Sequence, residues 1–331
     1  MNERISIVLC TYNGQAYLPE QLASLARQQR PPDELIVADD QSTDATPEIV
    51  RAFATTAPFP VRFLQNAENL GLNRNFADAF ARAEGDLVFF CDQDDVWHPQ
   101  KLARFATAFA LDPQVGLVFC DARVVSPQLA PLGHTHWQSV DFTPALQARF
   151  RHDPQDQRPY TAGAFEVLSR HCFVAGATAA VRRATRDAIL PWPQEWAFDA
   201  WAAMVSASLW RTRIIPEPLN DYRQHPRQAL GGARKGLWQR YLEARRAVNA
   251  RHYTRIADMA ERLAQRLLDQ GLAQTDPRID RLRAKMRFSN TRASMRRSFL
   301  ARYPLLIKEL TLGRYHQFGQ GWRSAAVDAL V

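Results

Sequence analysis

The sequence predicts an α/β fold in which a mostly parallel sheet is flanked by helices and followed by a C-terminal helical extension. Three observations favour this fold. Strand-like and helix-like patterns alternate over about the first 120 residues, polar clusters follow three of the strand patterns, and positive charge concentrates after residue 233. Alternation of strand and helix is typical of βαβ units, whose parallel strands are covered by helices on both faces.

The individual elements follow in a regular order. We expect strands over 5–10, 35–38, 61–64, 87–91 and 115–120, and helices over 17–28, 47–54, 73–83 and 99–110. Pro47 and Pro99 suit the first turn of their helices, where a missing backbone N–H costs no hydrogen bond. Asp44 or Thr46 can cap the helix that begins at Pro47.

Composition restricts the class of protein. A chain of 331 residues with 46% hydrophobic residues can bury a large core. Its four cysteines show no C-x-x-C spacing, which indicates a reducing compartment and argues against a zinc site. The longest uncharged apolar stretch, residues 200–210, is too short to cross a bilayer. We therefore expect a cytoplasmic protein, and peripheral attachment to the inner face of the cytoplasmic membrane stays open.

The charge distribution predicts two parts. Residues 234–302 hold 18 Lys and Arg against 6 Asp and Glu, a net charge of +12, whereas residues 1–233 have a net charge of −5. A boundary near residue 232 separates these parts, with 233–331 as a basic helical extension. Such an extension suits an anionic partner.

Polar clusters follow three predicted strands. They are Thr11–Gly14, Asp39–Asp44 and Asp92–Asp95. The carboxyl ends of parallel strands lie at one edge of a sheet, where open α/β folds bind ligands. Carboxylates as close as those of Asp92–Asp95 repel one another, so a cation is expected among them. Neither G-x-G-x-x-G nor G-x-x-x-x-G-K-[ST] occurs, so a bound phosphate would need a metal and side chains.

Four motifs together resemble those of the family-2 glycosyltransferases. They are C-T-Y-N-G at 10–14, A-D-D-Q-S-T-D at 38–44, N-L-G-L-N-R-N-F at 69–76 and D-Q-D-D-V-W at 92–97. The D-Q-D-D-V-W-x-P-x-K-L form is similar to that of bacterial enzymes of surface-polysaccharide assembly, many of them rhamnosyltransferases. The resemblance covers about residues 4–232 and implies a GT-A fold, with a nucleotide-sugar region at about 1–122 and an acceptor region at about 123–232.

The resemblance implies a nucleotide-sugar site at these motifs. Its implied residues are Thr11, Tyr12, Asn13, Asp39, Arg74, Asp92, Gln93, Gly176 and Arg223. Asp39 would accept a hydrogen bond from a pyrimidine base, and Arg74 and Arg223 would face phosphate. Structural roles are the alternatives, namely a turn cap for Asp39 and a surface ion pair for Arg74.

A divalent cation, Mg²⁺ or Mn²⁺, is implied as well. Asp94 would bind it directly, Asp92 would contact the ribose or a metal-bound water, and His225 would bind the metal or a phosphate. Asp95 would give a supporting hydrogen bond. A solvated acidic turn is the alternative for the cluster, and an ordinary loop histidine is the alternative for His225.

The implied reaction is inverting, and it needs a base that deprotonates the acceptor hydroxyl. Asp199 is the first candidate and Glu195 the second. Phe198 stands where related chains carry His or Glu before that Asp. The alternative for Asp199 is electrostatic support of a helix N-terminus. Gly176 would allow the donor sugar to approach the backbone closely.

The expected function is transfer of a sugar from a nucleotide-diphosphate donor, with dTDP-rhamnose as first candidate, to a glycan or lipid-linked glycan. A sugar nucleotidyltransferase and a non-catalytic sugar-binding component of a polysaccharide assembly complex are the alternatives. An apolar stripe in the basic extension comprises Trp238, Tyr241, Leu242, Val248, Ile256, Met259, Leu263 and Leu267. The extension would pack on the catalytic domain or dock on an anionic membrane. Nucleic-acid binding is disfavoured because no recognition motif accompanies the charge.

Overall fold

A computed structural model describes residues 3–153, 155–226, 250–297 and 299–330. Its contacts form two compact units. The sheet unit comprises the described residues 3–165 and 172–226, and the helical unit comprises residues 166–171, 250–297 and 299–330. The boundary predicted at residue 232 lies outside the described residues, so it stays a prediction.

Nine strands form one sheet within the described residues. They are β1 Ile5–Thr11, β2 Glu34–Asp39, β3 Val61–Gln65, β4 Leu87–Cys91, β5 Val96–Trp97, β6 Val115–Val125, β7 Pro131–Thr135, β8 Ala179–Arg182 and β9 Arg211–Arg223. The strands predicted from sequence agree with β1, β2, β3, β4 and the first half of β6.

Helices flank the sheet. They are α1 Leu18–Ala26, α2 Thr46–Thr56, α3 Leu72–Ala81, α4 Lys101–Ala110, α5 His136–Ser139, α6 Pro144–Gln147, α7 Ala162–Arg170, α8 Arg186–Ile189 and α9 Phe198–Leu209. The helix α2 begins at Thr46 rather than Pro47, and its N-cap is Ala45, not the predicted Asp44 or Thr46. The carboxylate of Asp44 accepts the Thr46 N–H at 3.0 Å and so still supports the helix start. Pro99 does not begin α4; it lies in the turn before it, and the helix begins at Lys101.

The strand order is β3-β2-β1-β4-β8-β6-β9-β5, with β7 paired to β6. The neighbours β3, β2, β1 and β4 are parallel, which confirms the predicted βαβ rhythm. The second half of the sheet is mixed, because β8 runs antiparallel between β4 and β6. The chain enters β8 after the long segment 126–178 rather than by a direct helical crossover.

The buried strands form a rigid platform for the loops at their ends. Every residue of β1, β2 and β4 is buried. The register sets Thr11 beside Asp39 and Asp39 beside Gln65 at the carboxyl edge of the sheet. The polar clusters that follow β1, β2 and β4 therefore share one edge, as the sequence predicted.

The helical unit contains α10 Ala250–Asp269, α11 Pro277–Arg297, α12 Phe299–Thr311, α13 Arg314–Phe318 and α14 Trp322–Leu330. Leu263 and Leu267 of the predicted stripe are buried, whereas Ile256 and Met259 are half-buried. The stripe residues Trp238, Tyr241, Leu242 and Val248 lie outside the described residues. Across the described part of the chain, no helix has the length and apolar character needed to cross a membrane.

A buried ionic cluster lies inside the helical unit. The carboxylate of Asp328, which is 1% exposed, accepts hydrogen bonds from Arg292 at 2.6 Å, Arg296 at 2.7 Å and the Tyr315 hydroxyl at 2.7 Å. The guanidinium of Arg292 also lies over the ring of Tyr253. Because two buried cations share one carboxylate, removal of that carboxylate leaves both with uncompensated charge.

Asp328→Ala should therefore destabilise the helical unit by about 3–5 kcal/mol. Urea unfolding followed by circular dichroism measures the change. Asp258→Ala is the matched control, because Asp258 is exposed on α10, and it should shift stability by less than about 0.5 kcal/mol. Equal unfolding midpoints for the two variants would show that the Asp328 cluster does not stabilise this unit.

Candidate active site

The acidic loop Asp92–Asp95 connects β4 to β5 at the carboxyl edge of the sheet. Asp92 and Asp94 are half-buried, and Asp95 is fully buried. Burial, together with the charges of Asp94 and Asp95, raises the pKa of Asp92 well above its ordinary value. Burial and the Asp94 charge raise the pKa of Asp95 to about 7. The loop is therefore a site of concentrated negative charge that a cation would stabilise.

Asp95 fastens the acidic loop to β9. Its carboxylate accepts a hydrogen bond from Asn220 Nδ2 at 2.7 Å and from the Arg223 backbone N–H at 3.1 Å. The short strand β5 adds antiparallel pairing, with Trp97 opposite Asn220. This is the supporting role that was expected of Asp95, and it brings the end of β9 against the acidic loop.

Arg223 lies beneath the acidic loop and is 2% exposed. Its guanidinium donates to the Asp94 carbonyl at 2.6 Å, to the Pro127 carbonyl and to the Glu20 carboxylate, and it lies over the Tyr17 ring. The sequence predicted that Arg223 would face a phosphate of the donor. Because its guanidinium already bonds three protein acceptors, the structure favours a brace for the loop over a phosphate ligand.

His225 completes this corner. Its Nε2 lies 2.7 Å from Asp94 Oδ2, and its ring packs 4.8 Å from the ring of Tyr17, centroid to centroid. In the described residues no group of three or more His, Cys, Asp or Glu side chains converges on one point. The structure thus brings two of the predicted metal residues, Asp94 and His225, into direct contact, with Asp92 in the same loop.

Asp39 lies at the end of β2 and is fully buried. Its carboxylate accepts hydrogen bonds from Thr11 Oγ1 at 2.9 Å, from the Ser42 N–H at 3.0 Å and hydroxyl at 2.5 Å, and from Gln65 Nε2 at 3.4 Å. The predicted base-binding residues Asp39 and Thr11 therefore bond each other. A pyrimidine N–H would most easily replace Gln65, whose bond is the longest of the four.

The loop after β1 is held by the acidic loop and by the loop after β2. Gln93 accepts the Tyr12 N–H at 2.9 Å and donates to the Tyr12 carbonyl at 3.1 Å. A Cβ on Gly14 would lie 2.2 Å from the Gln93 side-chain oxygen, so glycine leaves room for this contact. Asn13 accepts the Thr43 N–H at 2.8 Å. Gln93 and Asn13 therefore brace the loop, whereas the side chain of Tyr12 is 50% exposed.

The start of α3 holds the segment that carries the two base candidates. Asn73 Nδ2 donates to the carbonyls of Gln194 at 2.8 Å and Trp196 at 2.6 Å, and its Oδ1 accepts the Phe198 N–H at 3.1 Å. Arg74 next to it is exposed and makes no hydrogen bond or ion pair with any described residue. The sequence did not assign a role to Asn73, although it lies within the quoted N-L-G-L-N-R-N-F motif.

Asp199 lies in the first turn of α9. Its carboxylate accepts the Gly176 N–H at 3.0 Å and the Ala200 N–H at 2.7 Å, and burial raises its pKa. A raised pKa suits a carboxylate that must take up a proton near neutral pH. Glu195, the second candidate, is exposed. The two fixed N–H donors and the burial favour Asp199.

Phe198 explains why residue 176 is glycine. A Cβ on Gly176 would lie 2.3 Å from the Phe198 ring, which stacks on Phe76 at 3.9 Å between centroids. The close approach predicted for a donor sugar at Gly176 is therefore made by an aromatic ring. Because the ring is wedged against Phe76, it fixes the start of α9 and the position of Asp199.

Asp199 shares the site with the acidic loop. Phe198, the residue before it, packs 5.5 Å from the ring of Phe90, centroid to centroid, and Phe90 lies two residues before Asp92. Tyr222 lies on β9 next to Arg223, and burial, together with the charges of Asp95 and Asp92, raises the pKa of its hydroxyl. Its ring packs 5.6 Å from the His136 ring. No role was predicted for Tyr222, and the pairing of β9 with β5 and β6 sets its position.

Comparison with known proteins agrees with this arrangement. Residues 6–184 match the family described as Glycosyl transferase family 2. An uncharacterised Mycobacterium tuberculosis protein is 36% identical over 153 residues, 44% of this chain and 43% of that protein. The abequosyltransferase RfbV of Salmonella typhimurium is 31% identical over 141 residues, 41% of this chain and 42% of that enzyme. This chain therefore aligns with less than half the length of these relatives.

Solved structures share the fold. Residues 1–349 of Staphylococcus aureus TarS, solved in complex with UDP-GlcNAc, superpose with a TM-score of 0.58 at 20% identity, covering 86% of this chain and 72% of that one. The mannosyltransferase PcManGT of Pyrobaculum calidifontis, solved with GDP-Man and Mn²⁺, gives a TM-score of 0.57 at 19% identity, covering 99% and 85%. The family match and these neighbours confirm the predicted family and the predicted fold: the chain belongs to glycosyl transferase family 2 and adopts a GT-A fold.

Proposed function

We propose that the chain is an inverting, metal-dependent glycosyltransferase that moves a sugar from a nucleotide-diphosphate donor to a glycan or lipid-linked glycan in cell-surface polysaccharide synthesis. The observation that carries this proposal is that the Asp199 segment packs against the strand that ends in the acidic loop, through the contact of Phe198 with Phe90. The carboxylates of the acidic loop suit a cation that binds a diphosphate. The separate, hydrogen-bonded carboxylate of Asp199 suits a base. The names of RfbV and of the poly(ribitol-phosphate) β-N-acetylglucosaminyltransferase TarS support the same reaction class.

The residues of the acidic loop fit a divalent cation. Asp94 Oδ2 and His225 Nε2 lie 2.7 Å apart, and a carboxylate and an imidazole this close would both be available to one divalent ion. Asp92 has no hydrogen-bond partner for its carboxylate among the described residues, which leaves it available to the ion or to a metal-bound water. When bound, Mg²⁺ or Mn²⁺ would offset the negative charge of the leaving diphosphate. The Mn²⁺ in the PcManGT structure supports this assignment.

The chain's own residues divide the remaining tasks. Asp199 would take the proton of the acceptor hydroxyl as that oxygen attacks the anomeric carbon opposite the nucleotide. Exposed Arg74 would donate to the diphosphate. Asp39, with Thr11, would form the floor of the base pocket, and exposed Tyr12 its rim.

The proposed donor is a dTDP-sugar, with dTDP-rhamnose first. Its support is the likeness of residues 92–102 to rhamnosyltransferases. A thermal-shift panel of dTDP, UDP and GDP sugars with Mn²⁺ tests this choice, since a ligand that binds only the folded state raises its stability.

Asp94→Asn should lower the affinity for dTDP in the presence of Mn²⁺ by about 10-fold to 100-fold, because the variant loses a charged ligand of the ion. Isothermal titration calorimetry measures this affinity, and titration of UDP under the same conditions compares the two nucleotides. Asp78→Asn is the matched control, because Asp78 is an exposed carboxylate on α3. Wild-type affinity in Asp94→Asn would refute the metal role of Asp94.

Asp199→Asn should reduce turnover by about 100-fold or more and leave the affinity for donor almost unchanged, because a base acts in the transition state. Release of nucleotide diphosphate from the donor selected by the panel measures turnover. Glu195→Gln serves as the comparison and should keep near-normal turnover. The reverse pattern, with Glu195→Gln inactive and Asp199→Asn active, would move the base to Glu195.

The basic extension is proposed to dock on the anionic inner face of the cytoplasmic membrane, where a lipid-linked acceptor would lie. Residues 234–302 have a net charge of +12, and each Lys or Arg near an anionic surface contributes about 1 kcal/mol. In the helical unit, Trp322, Ile307 and Tyr303 are 68%, 59% and 47% exposed, so apolar side chains accompany the charge.

The protein should co-sediment with phosphatidylglycerol vesicles at low salt and much less with phosphatidylcholine vesicles. Trp322→Ala should weaken the binding that persists at high salt, where charge is screened. Leu111→Ala is the matched control, because Leu111 is 66% exposed in the sheet unit. Absence of binding to anionic vesicles at low salt would remove the membrane role.

A further inference from the structure

Lys101, the first residue of α4, has no solvent-exposed surface. Its Nζ donates to the Ala177 carbonyl at 2.5 Å and lies 3.6 Å from the centre of the Trp97 ring. A fully buried ammonium costs several kcal/mol in desolvation unless partners compensate for it. One carbonyl and one aromatic face are the direct partners of the ammonium within the described residues, so the position of the ammonium depends on both.

The second contact of Lys101 connects it to the acidic loop. Trp97, over whose ring the ammonium lies, belongs to β5, the short strand that follows Asp95. Asn220, which pairs opposite Trp97, donates to the Asp95 carboxylate at 2.7 Å. Lys101 therefore contacts the strand that anchors the C-terminal end of the acidic loop.

The contact with Ala177 links Lys101 to the proposed base. Residues Gly176–Thr178 form a single 3₁₀ turn that leads into β8. The Gly176 N–H in that turn donates to Asp199 at 3.0 Å. The Lys101 ammonium therefore binds Ala177, and the residue before it, Gly176, binds the Asp199 carboxylate.

We propose that Lys101 is a positioning residue that ties the Gly176–Thr178 turn to the acidic loop and thereby sets the Asp199 carboxylate relative to the donor. This inference rests on the proposed function in one respect, since it takes Asp199 as the base. The turn is buried and leads directly into β8, and the Lys101 ammonium is the side-chain group that binds its central carbonyl. Misplacement of a reacting group by about 1 Å can cost about 100-fold in rate.

Hydrogen exchange tests the positioning directly and does not depend on any activity. In Lys101→Met, the Gly176 amide should exchange at least about 10-fold faster than in the wild-type protein, because its acceptor Asp199 is no longer held in register. Lys101→Arg, which keeps a buried cationic donor, should retain most of the protection. Phe105→Leu is the matched control: Phe105 is buried on the same helix and packs on Phe89, so it should lower stability without changing exchange at Gly176.

Kinetics test the consequence for the reaction. With the donor selected by the thermal-shift panel, Lys101→Met should lower kcat by about 10-fold to 100-fold with KM for the donor within about threefold. When it is combined with Asp199→Asn, Lys101→Met should lower kcat little further, because both substitutions disturb the same hydrogen-bonded group of residues.

The two measurements separate the possible failures. Unchanged Gly176 exchange in Lys101→Met would overturn the inference, whatever the kinetics. If the Gly176 amide exchanges faster in Lys101→Met but the wild-type protein releases no nucleotide from any donor, the positioning role stands and the proposed function is rejected. Should Lys101→Met not fold, Lys101→Gln, which also removes the charge, replaces it in both measurements.

Discussion

The crowding of carboxylates at the end of β4 is the constraint on which the rest of the site depends. Asp92, Asp94 and Asp95 follow a fully buried strand, so they cannot separate without disrupting the sheet. Arg223 donates to the Asp94 carbonyl, Lys101 lies over the Trp97 ring just after the loop, and Asn220 with a backbone N–H from β9 binds Asp95. These contacts anchor the loop, whereas the Asp92 carboxylate bonds no described residue. The remaining negative charge there is the physical reason for a cation.

Many motif residues hold loops in place. Asp39, Thr11, Gln93 and Arg223 each bond other parts of the chain, and these bonds join residues that are 28 to 129 positions apart. The resemblance to family-2 enzymes had assigned all four to ligand contacts. A motif is thus consistent with two roles, and the geometry bears on the choice: the side chains of Arg74 and Tyr12 are exposed, whereas those of Asp39, Thr11 and Arg223 are buried and bond the protein.

Sequence predicted the first half of the fold well, because apolar periodicity and proline positions determine strands and helices locally. The parallel order of β1 to β4 and the shared edge of the polar clusters followed from the same patterns. Three features were not predictable, since each depends on contacts between distant segments. They are the antiparallel insertion of β8, the hydrogen bonds of Asn73 to the 194–198 segment and the position of Tyr222. Phe198 was noted as a departure from the family pattern, but only the structure shows that its ring fills the space left by Gly176 and packs on Phe76.

The central claim is that the acidic loop and His225 hold a divalent cation that carries the nucleotide diphosphate. Electron–nuclear double resonance of Mn²⁺ added to the protein with dTDP tests it most directly. The account predicts a phosphorus hyperfine coupling from the diphosphate and a nitrogen coupling from the His225 imidazole in the same spectrum. A spectrum of fully hydrated Mn²⁺, recorded with protein and dTDP in excess, would contradict it.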